Sequence, residues 1–120
     1  MKQMFFYLLF AVLVSACFYD SEEDLYGIKE CVTTITSFIN DIRPIINPTC
    51  TTPCHSSSST LGGGIVLDGY SSISNYAKNG SLVGSIKHDG FSAMPKDQPK
   101  LEDCKIAKIE AWVAAGSPNN

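Results

Sequence analysis

Residues 50–55 read Cys50-Thr51-Thr52-Pro53-Cys54-His55, and two cysteines followed at once by a histidine decide how the rest of the chain is read. Covalent haem attachment needs this set: each thiol adds to one vinyl group, and the adjacent imidazole reaches the iron. The common spacing is C-x2-C-H, whereas three residues separate the cysteines here. Read alone, the same six residues also suit a small disulfide-closed loop or part of a zinc site.

Working outward, the N-terminus sets the compartment. Lys2 is followed by the apolar run Met4–Val14 and then by small residues. That run is too short to span a bilayer and is placed like an export leader, so residues 1–16 are assigned to a signal peptide. Val14-Ser15-Ala16-Cys17 resembles the lipobox of bacterial lipoproteins, with Val where Leu is usual. Cys17 is therefore expected to carry lipid and to anchor the exported chain, in the outer membrane, facing the periplasm or the cell surface. An ordinary secreted protein with a stray cysteine is the alternative. Residues 17–30 include Asp20, Glu22, Glu23 and Asp24 and read as a solvated acidic tether.

Export makes the cysteine arithmetic close. Of five cysteines, Cys17 goes to lipid and Cys50 and Cys54 to haem, which leaves Cys31 and Cys104 for each other in an oxidising compartment. By count alone the four mature cysteines allow three pairings, and a Cys50–Cys54 disulfide is among them. The formal net charge is −3, and it becomes more negative once Lys2 leaves. Such a chain offers no basic surface for nucleic acid.

The folded part is expected to run from 31 to 120. Ser37 is placed as an N-cap, and Phe38, Ile39, Ile42, Ile45 and Ile46 recur at helical spacing to give one apolar face. Pro44 is expected to kink or divide that helix, and Pro48 to end it and release the motif as a loop. Residues 56–64 are loop by composition, and Gly62-Gly63-Gly64 suit a flexible linker or, equally, a backbone passing close to a flat ring. Ile65-Val66-Leu67 is the only strand-like run. Short helices are expected near 71–77 and 81–86, separated by the Asn79-Gly80 turn. The last helix carries Ile106, Ile109, Trp112 and Val113, with Glu102 and Asp103 at its positive end and Gly116 and Pro118 stopping it. Two terminal amphipathic helices around a loop-rich middle make the expected fold class all-α.

Phe38, Asp41-Ile42-Arg43-Pro44-Ile45, Cys50, Cys54-His55, Leu67-Asp68-Gly69-Tyr70, Gly80, Met94-Pro95, Leu101 and Ile109, Trp112-Val113, Gly116 together resemble small monohaem c-type cytochromes. The likeness is to the planctomycete-type cytochrome c domain found in bacterial lipoproteins, and it spans 31–120. The three-residue cysteine spacing is its main departure. The resemblance implies a class I cytochrome c fold with crossing N- and C-terminal helices around one covalent haem c. It further implies His55 and Met94 as axial ligands, Trp112 packed beside the ring, and electron transfer to redox protein partners as the activity. Elimination agrees on the ligand, since Met94 is the only methionine beyond the leader and His88 the only other histidine. A gap-filling Met94 is the plain alternative. With both axial positions filled no substrate site remains, so the chain is not expected to be an enzyme, although it could serve as a subunit of an oxidoreductase. A peroxidase-like enzyme would need His88 as acid or base at an open iron. A haem-free module would instead use Cys50, Cys54, His55 and His88 as zinc ligands.

Overall fold

A computed structural model describes residues 31–120; the leader, Cys17 and the acidic tether lie outside the described residues. The first helical run begins where Ser37 caps it: its hydroxyl accepts from Asn40 N at 3.0 Å, while Asp41 reaches back to accept from Ser37 N at 2.9 Å. The run then changes type twice without stopping. It comprises π1 (Phe38–Ile42), α1 (Arg43–Ile46) and π2 (Asn47–His55). In π1 the i→i+5 pattern is explicit, with Ile42 N donating to Ser37 O at 3.2 Å and Arg43 N to Phe38 O.

Proline explains the change of type. Pro44 stands at the start of α1, where its missing N–H costs little, but in an α-helix Pro48 and Pro53 would each lack the N–H owed to the carbonyl four residues back, and each ring would crowd that carbonyl. Widening to i→i+5 relieves the crowding and keeps the run helical. Pro48 therefore does not end the helix as expected, and the Cys50–His55 motif is helical rather than a loop. The expected face needs one correction: Phe38, Ile42, Ile45 and Ile46 are buried, but Ile39 is 56% exposed.

The remaining elements are α2 (Tyr70–Lys78), α3 (Ser81–Lys87) and α4 (Asp103–Ala114). No strand occurs among the described residues, so Ile65–Leu67 is extended chain and not a β-strand. Gly80, at φ +82°, turns α2 into α3. Gly116, at φ +91°, closes α4, and the indole N–H of Trp112 donates to Pro118 O at 2.9 Å.

Residues 31–120 pack as one unit, with the first helical run lying on the last. Trp112, fully buried, lies against Phe38 with ring centroids 5.7 Å apart, and Phe38 meets Tyr70 edge-on at 5.2 Å. The tail returns to the first turn, where Phe38 N donates to Asn120 Oδ1 and Ile39 N to Asn120 O, both at 2.9 Å. Cys31 and Cys104 form a disulfide that ties the entry of π1 to the first turn of α4.

Lys108 on α4 pairs with Asp41 on π1 at 2.9 Å. The Ser37 amide, and after it the Lys108 ammonium, hold the Asp41 carboxyl below its usual 3.8. A lowered folded value means the contribution is present above 3.8 and is lost as pH falls through the folded-state value. Asp41→Asn is therefore expected to cost under about 1 kcal/mol at neutral pH. In paired denaturant titrations, the gap between variant and wild type should close as pH falls below the ordinary carboxylate range.

Candidate functional site

Within π2, Cys50 and Cys54 are free and half-buried, and His55 is the last helical residue and buried. Cys50 faces the core and packs against it. Burial pushes its thiol up to about 11, with the neighbouring Cys54 as the lesser cause. Cys50 therefore stays protonated at neutral pH. Protonation disfavours thiolate attack and disulfide closure between the pair.

His55 is held by the extended segment that follows the glycines. Its Nδ1 lies 3.0 Å from Ile65 O, and a carbonyl can only accept, so Nδ1 carries the proton. In the neutral ring that leaves Nε2 as the nitrogen with a free lone pair. Among the described residues Nε2 has no hydrogen-bond partner, and it is not sealed from solvent. Two further bonds clamp the same segment to the helix: Leu67 N donates to His55 O at 2.7 Å, and Thr51 Oγ1 donates to Leu67 O at 2.8 Å.

Gly62 makes this approach possible. A Cβ there would stand 2.5 Å from Cys54 O, 2.8 Å from His55 Nδ1 and 3.1 Å from Ile65 O. The close approach that Gly62 permits is to the imidazole of His55. The signal in the sequence was the glycine run; which glycine matters was not legible there. Thr51, Gly62 and the Ile65 carbonyl were missed as positioning groups, the last because a backbone acceptor leaves no mark in sequence.

Met94 follows α3 and is half-buried. It belongs neither to the core cluster nor to the apolar side chains packed upon it. Its amide donates to Ser85 O at 3.0 Å, and its carbonyl lies 3.2 Å from Nε2 of the exposed His88. His88 is solvated as expected, but it also steadies the Met94 backbone. The contacts among the described residues join Met94 to α3 and His88 and do not join it to His55.

The remaining donor chemistry discriminates. No three His, Cys, Asp or Glu side chains gather as a metal cluster among the described residues, so Cys50, Cys54, His55 and His88 do not form the four-ligand zinc site that a haem-free module would need. Leu61, Ile65 and Val66, in the segment after His55, and Phe91, three residues before Met94, are exposed apolar side chains. A cleft of roughly 290 Å³ lined by Phe38, Arg43, Asp68 and Tyr70 shares no residue with the motif and pairs no nucleophile with a base. Two thiols, an imidazole oriented by a carbonyl, and the exposed apolar side chains of the segment after His55 are residues that could hold a flat, apolar, covalently attached ligand.

No described helix is long and apolar enough to cross a membrane. Compared with protein-family models, curated proteins and solved structures, the chain finds no match.

Proposed function

We propose that this chain is an exported monohaem c-type cytochrome, an electron carrier with a class I cytochrome c fold over 31–120 and a lipid anchor at Cys17. The observation that carries the reading is the His55 ring: its Nδ1 is bound to the Ile65 carbonyl, which leaves Nε2 without a hydrogen-bond partner among the described residues, one residue beyond two free thiols. Contact between the first helical run and the last supports the fold assignment. Bound haem would supply one-electron ferric–ferrous chemistry.

The chain's own residues supply the rest. Cys50 and Cys54 would each add sulfur to one vinyl carbon and hydrogen to the other, a redox-neutral step with no leaving group. His55 would hold the iron from one side, and its bond to Ile65 O would raise its basicity and fix its ring plane. Met94 would serve as the second axial ligand, with His88 and Ser85 steadying its backbone. Leu61, Ile65, Val66 and Phe91 would exclude water from the ring. Redox protein partners would exchange electrons across the exposed edge.

Controlled-potential titration of the purified full chain tests the carrier role. It should show reversible one-electron reduction with low-spin spectra in both states, and no turnover of hydrogen peroxide. A high-spin ferric spectrum with peroxide turnover would replace the carrier with an enzyme.

A further inference from the structure

The helical motif carries three residues between its cysteines where two are usual, and it lies in a π-helix. An α-helix advances about 100° per residue. In C-x2-C-H, the second cysteine then falls about 60° short of a full turn from the first and the histidine about 40° beyond it, all on one side. Threading Cys50-x3-Cys54-His55 on an α-helix would put Cys54 about 40° beyond and His55 about 140° beyond, on the far side. An i→i+5 helix turns roughly 4.4 residues per turn, so Cys54 falls about 30° short and His55 about 50° beyond. The wider turn absorbs the additional residue and restores the order of the three groups.

We infer that the π register of Asn47–His55 is what presents Cys50, Cys54 and His55 on one face despite the three-residue spacing, with Pro53 as the positioning residue that holds the register. The inference rests on the haem reading of this site. Pro53 stands between the cysteines, is exposed, and makes no contribution to the core. In an α-turn its ring would crowd the Thr49 carbonyl, which sets a cost against the α register in wild type. The spacing and the helix type are thus complementary departures: either alone would scatter the three groups, and together they cancel.

The test uses the full chain co-expressed with cytochrome c maturation machinery, in wild type, in Pro53→Ala, and in Pro53→Ala with Thr52 deleted. Pro53→Ala opens the α register while keeping three intervening residues, so most of its chains should carry one thioether bond instead of two, read by mass spectrometry of the haem peptide. The double variant has two intervening residues on an α-turn and should regain both bonds and the wild-type spectrum. Since both variants carry the Pro53→Ala change, recovery in the second shows that the loss in the first is one of register and not of folding. In the haem-free chain, NMR couplings across hydrogen bonds should read i→i+5 in wild type and i→i+4 in the double variant. Two thioether bonds with an unchanged spectrum in Pro53→Ala, or an α register in wild type, overturns the inference. Wild type without covalent haem would instead sink the haem reading, and the NMR couplings still decide the register.

Discussion

Met94→Ala is expected to abolish the weak near-infrared sulfur-to-ferric-iron band of the haem-loaded protein and to lower its reduction potential by on the order of 0.1 V, because a thioether favours the reduced iron and its loss removes that preference. Met94 is the candidate because it is the one methionine beyond the leader and stands outside the core, where truncation leaves no cavity. Covalent haem should remain, since attachment uses Cys50 and Cys54. His88→Ala should keep the band. It removes one exposed hydrogen bond to the Met94 carbonyl, worth about 1 kcal/mol or less, and leaves the sulfur in place. The reverse pattern, a silent Met94→Ala and an iron opened by His88→Ala, would assign bis-histidine ligation and a lower-potential carrier.

The second large effect falls on stability. The Cys31–Cys104 disulfide closes a loop with a sequence separation of 73. Replacing both cysteines by Ser is expected to cost about 4 kcal/mol on the chain-entropy account, a large share of the roughly 5–15 kcal/mol typical of a small domain. Denaturant unfolding of oxidised wild type and the double variant reads the difference directly. Equal midpoints would mean that the helix contacts between π1 and α4 already hold the ends together and that the crosslink adds nothing.

Which parts of this arrangement could be read without coordinates depends on how local the cause is. Ser37 as cap, the Asn79-Gly80 turn, and Gly116 with Pro118 after the last helix are fixed by one or two side chains, and each stands where the sequence places it. The Cys31–Cys104 pair was one of three pairings that counting allowed, and it was preferred only because Cys50 and Cys54 were reserved for haem. The first helix was misread in its interior, because a proline was weighed as an interruption of an α-helix when a wider turn lets the chain keep going. The same change of period exposes Ile39, which an α repeat puts on the buried face. Ile65–Leu67 has strand composition but no neighbouring strand, and its backbone bonds go to Thr51 and His55 instead. At the candidate site the side chains were legible, since the chemistry of cysteine and histidine at close spacing is restrictive. The groups that aim them, Gly62 and the Ile65 carbonyl, depend on a close approach that only the folded chain defines.

The central claim is that Cys50 and Cys54 carry haem with His55 as a ligand. The most direct measurement is a haem stain on a denaturing gel, with intact mass of the same sample, for the full chain co-expressed with cytochrome c maturation machinery. The account predicts a staining band that migrates with the protein and a mass increased by one haem, with both lost when Cys50 and Cys54 are replaced together by Ser. A correctly processed wild-type chain that neither stains nor gains that mass would contradict it.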